Sequence, residues 1–253
     1  MPNSEITANA KNPFHACTLC PRECKANRLE GDVGYCRTDS NIHISAICAH
    51  KGEEPVISGA NGICNIFFSH CNLQCIYCQN HTISRNSPSV ISRNYTLNLI
   101  VERIEHVLSK GSHAIGFVSA SHQIPQVKII IKKLHQKGLH PTMVFNTNSY
   151  DKASTLRQLN GLIDVYLPDF KYANPALAGD LSQAADYPEI AVAAIKEMYW
   201  QKGSSLIVNQ RGEAESGLII RHLVLPGFVD NSIKVLESIA ENISTAVCVS
   251  LMA

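Results

Sequence analysis

Six short apolar runs punctuate the chain from residue 64 onward: CNIFFS (64–69), AIGFVSA (114–120), TMVFN (142–146), DVYLPDF (164–170), GLIIRHLVL (217–225) and TAVCVSL (245–251). Each is bounded by polar residues, glycine or proline, as expected of strands buried on both faces. Helical spacing fills the gaps. Leu97, Ile100, Val101, Ile104, Val107 and Leu108 recur at i, i+3, i+4 and i+7, and Gly111 supplies the stop. Val127, Ile130, Ile131 and Leu134 repeat that spacing between Pro125 and Gly138. Ala191, Ala194, Ile195 and Met198 do so before Gly203. Ile233, Leu236, Ala240 and Ile243 predict the last helix, with Asn231 as its N-cap.

Strand–helix alternation implies right-handed βαβ units, a parallel sheet and the α/β class. Six strands are too few for a closed eight-fold barrel, so a doubly wound sheet and an open six-stranded β/α barrel both satisfy the pattern. Residues 1–60, with Pro13, Pro21 and Pro55 and scattered glycines, read as an irregular Cys-rich segment ahead of an α/β unit at 61–253. The sixth run ends just before Ala253. It reads either as an edge strand or as the sign of C-terminal truncation.

With 253 residues and 45% apolar content, the chain can bury a core without staples. Twenty-two Lys+Arg against 21 Asp+Glu leave +1, which gives no bulk electrostatic case for nucleic acid or an acidic membrane. No run approaches the length of a spanning helix, and MPNSEITANAKN at the start lacks the apolar core of a secretory signal. A reducing cytoplasm is the expected location, where clustered thiols read as metal ligands or redox groups.

Nine of the ten cysteines fall within the first 78 residues. Cys71, Cys75 and Cys78 form a C-x3-C-x2-C group directly after the first apolar run. Three thiolates on one loop can hold three irons of a [4Fe–4S] cluster and leave the fourth open; zinc usually closes four ligands. Cys17, Cys20, Cys24 and Cys36 can close a tetrahedral zinc site or hold a second [4Fe–4S] cluster. Cys48, Cys64 and Cys248 have no partners at useful spacing and read as small buried hydrophobes. Trp200 reads as packing.

The C-x3-C-x-aromatic-C group, with Tyr77 at the aromatic position, resembles the radical S-adenosylmethionine (SAM) enzymes. That resemblance implies a partial (β/α)6 radical SAM barrel, with Tyr77 packed beside the cluster. It also implies an open iron chelated by the amino and carboxylate groups of SAM. Reduction then cleaves SAM to a 5′-deoxyadenosyl radical that abstracts hydrogen from a substrate. Thr147-Asn148, Leu167-Pro-Asp169-Phe-Lys171 and Arg221-His222-Leu-Val-Leu-Pro226-Gly227 are similar to the pyruvate formate-lyase activating enzymes. Carried over, Lys171 pairs with the SAM carboxylate, Asp169 bonds SAM or orients Lys171, and Asn148 joins the cofactor set. Where that family carries Gly-Gly-Glu, this chain has Ser119-Ala120-Ser121-His122, so Ser119 or His122 is expected to receive the amino group.

The N-terminal cysteines, the His50-x-Gly52-Glu53-Glu54-Pro55 run and the Gly62–Ser69 approach resemble an uncharacterised branch of activating-enzyme-like proteins. The family's adenine-binding residues follow the sixth strand, which motivates the expectation of truncation. The resemblance implies a low-potential electron donor, flavodoxin or ferredoxin. The substrate would be a glycyl radical protein, another protein or a metabolite. The alternative class is a non-catalytic iron–sulfur or zinc-binding remnant.

Overall fold

The computed structural model describes residues 12–90 and 92–253. In chain order the elements are β1 (His43–His50), α1 (Pro55–Ser58), β2 (Ile63–Phe68), α2 (His81–Ser84), β3 (Arg93–Asn94), α3 (Leu97–Leu108), β4 (Ala114–Val118), α4 (Ile124–Gln136) and β5 (Thr142–Thr147). They continue with α5 (Ala153–Leu156), β6 (Val165–Pro168), α6 (Pro175–Ser182), α7 (Tyr187–Lys202), β7 (Ile207–Val208), β8 (Ala214–Leu223), α8 (Val229–Asn242) and β9 (Cys248–Met252). All six apolar runs are strands. β2, β4, β5, β6, β8 and β9 lie side by side in chain order, every pair parallel. Among the described residues nothing pairs β9 with the far edge at β3, so the barrel is open.

Period-two alternation sorts the strand residues into two layers. Ile66, Phe68, Ile115, Phe117, Met143, Phe145, Tyr166, Leu218 and Ile220 belong to the large core shared with the helices. Ile63, Ala114, Val144, Val165, Leu167 and Ile219 form a separate inner core with Ile57 of α1. Because β1 runs antiparallel to β2, residues 51–62 fall at the end where the parallel strands begin. There α1 plugs the barrel, with Ile57 only 1% exposed. The opposite end, where the parallel strands finish, is left to the functional loops.

Helix ends follow their local chemistry. The Thr96 side chain caps α3 by accepting from Leu99 N at 3.3 Å. Pro125 stands in the first turn of α4, where its missing N–H costs nothing. Gly203, at φ 72°, ends α7.

Several expectations need correction. Residues 1–60 are not wholly irregular: HISAICAH is β1, a partly exposed strand whose polar positions hide the apolar signal. Asn231 is not the N-cap of α8. It lies in the first turn, behind Phe228, accepting from Ala173 N (3.0 Å) and donating to Lys171 O (3.1 Å). The inward stripe of α8 is Asn231, Ser232, Val235 and Ile239, while Ile233 is 50% exposed and Leu236 is exposed too. Two polar anchors rotate the helix away from its apolar periodicity. Trp200 is 82% exposed and packs nothing away, and Cys48 is exposed on β1.

Candidate functional site

The loop leaving β2 carries Cys71, Cys75 and Cys78. Cys71 is buried; its sulfur faces Asn148 Nδ2 at 3.2 Å and Leu73 N at 3.4 Å. Asn148, on the loop leaving β5, also donates to Asn72 Oδ1 at 2.9 Å and accepts from Tyr150 N at 2.8 Å. Cys78 Sγ lies 3.2 Å from Ser84 Oγ. Tyr77 meets Tyr172 edge-on, their hydroxyls 2.6 Å apart, and Tyr172 passes the chain to Ser182 at 2.7 Å.

Burial pushes the Cys71 thiol up to about 12. Burial raises Cys75 as well, and the Lys171 ammonium pulls it back. Thiols held this high ionise when a metal takes them, since coordination deprotonates a thiol outright. The N–H and O–H groups aimed at these sulfurs are the kind that tune iron–sulfur ligands. Among the described residues no three His, Cys, Asp or Glu side chains converge on one ion. Three thiols on one short loop at C-x3-C-x2-C spacing suit the corners of a cluster, which takes one ligand per iron.

Beyond β6, Asp169 Oδ2 accepts from Lys171 Nζ at 2.7 Å and Oδ1 from Arg221 Nε at 2.9 Å. Arg221, on β8, points into the barrel: Nη1 reaches Glu53 at 2.9 Å and Nη2 reaches Asn146 Oδ1 at 2.7 Å. Glu53 rises from the plugged end and also accepts from Asn65 Nδ2 at 3.0 Å. Asn65, Asn146, Glu53, Arg221 and Asp169 thus form a polar layer adjoining the apolar inner core. Two carboxylates offset two cations in it, counting Lys171. Burial alone would raise Asp169, but Arg221 and Lys171 hold it below the ordinary range. Burial alone would lower Lys171, but Asp169 and Cys75 hold it above its ordinary value.

The loop leaving β4 divides its two candidates. Ser119 is half-buried at φ 56°, a left-handed backbone conformation, with its N–H on Asn146 O at 2.9 Å. His122 is buried, with Nε2 3.0 Å from Ser69 O, and burial together with the Arg28 charge pushes it down to about 3. It is therefore neutral, and among the described residues its Nδ1 has no partner. Ser149 Oγ and Asp151 Oδ1, on the loop leaving β5, are buried without partners too. Such orphans mark places where a ligand or water completes the set.

Residues 12–42 lie across these same loops. Arg22 Nε donates to Asn72 O at 3.0 Å, Thr155 Oγ1 to Leu19 O at 2.9 Å, and Arg28 Nη1 to His122 O at 2.8 Å. Cys17, Cys20 and Cys36 are buried here and Cys24 is exposed. Burial pushes the Cys20 thiol up to about 12, and the nearby Cys36, Cys17 and Cys24 add to it.

Sequence reasoning quoted Arg221 and Glu53 within motifs but gave them no role, and gave none to Asn65, Asn146, Tyr172 and Arg28. The available signal for Asn65, Asn146 and Arg221 was a polar residue inside an otherwise apolar run. For Glu53 and Arg28 there was none beyond their place in short motifs.

An open parallel β/α barrel with a three-cysteine loop after its first parallel strand defines a class, and the chain belongs to it. The Radical SAM superfamily profile matches residues 65–238. Membership implies a [4Fe–4S] cluster and SAM. An uncharacterized protein of Methanocaldococcus jannaschii is 29% identical over 242 residues, covering 94% of this chain and 65% of the relative. The FeFe-hydrogenase maturase HydG of Carboxydothermus hydrogenoformans shares the fold, with a TM-score of 0.51, 14% identity and coverage of 72% of this chain and 42% of that one. Another structure, of HydG, a maturase of the [FeFe]-hydrogenase, gives a TM-score of 0.51 at 11% identity, covering 73% of this chain and 41% of that one. The chain therefore spans less than two thirds of the length of each. No helix among the described residues is long and apolar enough to cross a membrane.

Proposed function

We propose that Cys71, Cys75 and Cys78 hold the [4Fe–4S] cluster and that Asp169 and Lys171 place SAM beside it. The observation that carries this is the meeting of two loops: Lys171, beyond β6, bears electrostatically on Cys75, beyond β2, while Asp169 fixes its ammonium at 2.7 Å. When bound, cluster and SAM supply reductive cleavage to a 5′-deoxyadenosyl radical.

The chain's own residues prepare that chemistry. Lys171 stays protonated, so it can pair with the SAM carboxylate by a charge-assisted bond. Both Asp169 oxygens are occupied, which makes it an orienter of Lys171. Tyr77, Tyr172 and Ser182 form a hydroxyl chain beside Cys75, and Asn148 holds the Cys71 side. Ser119 and the bare Nδ1 of His122 are the acceptors offered to the amino group. The apolar plug around Ile57 excludes water from the far end, leaving the loop end for substrate.

On this reading the protein is of the activating-enzyme-like type and acts in the cytoplasm. It takes electrons from flavodoxin or ferredoxin, and its substrate is a protein, a glycyl radical enzyme among them, or a metabolite. The four N-terminal cysteines are a second metal site, iron–sulfur or zinc. Anaerobic reconstitution followed by EPR of the reduced protein tests the core of the proposal. A spectrum that SAM changes, with 5′-deoxyadenosine formed, is expected. A spectrum indifferent to SAM would mean a non-catalytic metal protein.

A further inference from the structure

Among the described residues Arg28 is the largest fully buried side chain, 1% exposed, and no carboxylate stands within ion-pair reach of it. Its guanidinium is satisfied by neutral acceptors: Asp39 O at 3.0 and 2.7 Å, His122 O at 2.8 Å and Thr38 Oγ1 at 2.9 Å. The Asp39 carboxylate is turned away, bonded to His43 and Asn41. A buried cation without an anion is costly, and protein interiors rarely keep one unpaired.

What does surround Arg28 is sulfur. Nη1 lies 3.8 Å from Cys17 Sγ, and Thr38 Oγ1, which Nη2 donates to, lies 3.1 Å from Cys36 Sγ. Cys17 is tied into a tight loop with Cys20 and Cys24 by Cys17 N to Ala26 O, Lys25 N to Cys17 O and Glu23 N to Cys20 O. Gly34 leaves room for the Cys24 sulfur, which would meet a Cβ there at 2.1 Å, and Arg37 N closes the turn on Gly34 O. Cys17 thus faces the buried positive charge directly and Cys36 faces it through Thr38, with Cys20 and Cys24 on the same loop as Cys17. As free thiols they are neutral and leave Arg28 unbalanced; as metal-bound thiolates they supply the missing negative charge.

We infer that Cys17, Cys20, Cys24 and Cys36 bind a second [4Fe–4S] cluster whose net negative charge is balanced by Arg28. The inference rests on reading these four cysteines as metal ligands and goes on to name the cluster and its counter-ion. Iron–sulfur is chosen over zinc because three of the ligands stand on one short loop, C-x2-C-x3-C, with a remote fourth, whereas structural zinc sites usually pair two knuckles of two. Arg22, between Cys20 and Cys24, ties this centre to the first through Asn72 O, the residue beside Cys71.

Three forms of the full chain test this after anaerobic reconstitution: the natural sequence, Cys71→Ala/Cys75→Ala/Cys78→Ala, and Cys17→Ser/Cys20→Ser. The natural protein should hold about eight irons with matching sulfide, and each variant about four. The triple variant should keep an EPR signal that SAM does not alter, and the double variant one that SAM does. About four irons in the natural protein, or zinc in the triple variant, overturns the second cluster without touching the first. If the first assignment fails instead, the triple variant keeps all the iron and SAM alters no signal in any form. Should a variant not fold, the iron count of the natural protein still decides. Arg28→Gln should move the potential of the second cluster to a more negative value and leave the first unmoved. An unchanged potential would remove Arg28 as the counter-ion.

Discussion

Glu53 and Arg221 meet at 2.9 Å inside the barrel, one rising from the plugged end and the other standing on the wall strand β8. Both are half-buried, and Arg221 also carries Asp169, so two carboxylates lean on one guanidinium. Removing the cation leaves them short of charge. Arg221→Met should lower unfolding free energy by about 3–5 kcal/mol. Glu53→Gln should cost about 1–3 kcal/mol, because an amide oxygen still accepts from Asn65 and Asn146. Urea titration measures both, and a Glu53→Gln protein as stable as the natural one would mean that the charge on Glu53 contributes nothing.

Gly116 is a packing requirement of the same layer. A Cβ there would meet Asn65 Oδ1 at 2.1 Å, and Asn65 is held from its other side by Glu53. Gly116→Ala should destabilise by about 1–3 kcal/mol, the cost of overpacking a fixed interior. Thermal unfolding reports it. An unchanged midpoint would show that Asn65 is free to swing.

The β4 and β5 loops set the pH response through two buried groups of opposite sense. Burial holds Asp151 up at about 6 against an ordinary 3.8, with Thr147 and Ser121 pulling part of the way back. The unfolded chain gives up that proton first, so this contribution to stability falls as pH rises from about 4 to 6. Burial and Arg28 hold His122 at about 3 against 6.5. Here the unfolded chain binds a proton that the folded chain refuses, so stability rises with pH over about 3 to 6.5. The two slopes oppose each other below about pH 6. Asp151→Asn leaves the histidine slope alone: urea midpoints should climb more steeply between pH 5 and 6.5 than in the natural protein. At pH 7 the variant should be more stable by about 2–3 kcal/mol, the equivalent of about two pKa units. A profile parallel to the natural one would rule out a buried, protonated Asp151.

Tyr77 tests the hydroxyl chain beside Cys75. Tyr77→Phe removes the 2.6 Å contact to Tyr172 and should cost about 1 kcal/mol while the fold survives. The sharper readout is the EPR line shape of the reduced cluster, which should change when the hydroxyl goes. An identical spectrum would place the chain too far from the cluster to matter.

The six parallel strands were legible because each is short, apolar and bounded, and the helices between them because their spacing is regular. The strand β1 was not, since a strand one place in from the β3 edge, with His43, Ser45 and His50 half-buried and Cys48 exposed, shows little apolar contrast. The face of α8 misled for the opposite reason. Asn231 and Ser232 turn inward to serve Lys171, Ala173 and His222, and side-chain hydrogen bonds outweigh apolar periodicity there. At the site, the cysteine loop announced itself by spacing, and Asp169 with Lys171 through a family resemblance. Glu53 could not be read, because its partner lies 168 residues away and only the folded barrel brings them together.

The cap over the loop end also carries a consequence for the order of assembly. Residues 12–42 leave the ribosome before the barrel strands, yet they are fastened to partners made much later: Glu23 to Lys152, Leu19 to Thr155 and Arg22 to Gln183, separations of 129, 136 and 161 residues. Contacts that distant form late, once the chain between them has closed its own loops. The mouth of the barrel therefore stands open through most of maturation, and iron and sulfide have their access before the N-terminal segment settles over Cys71.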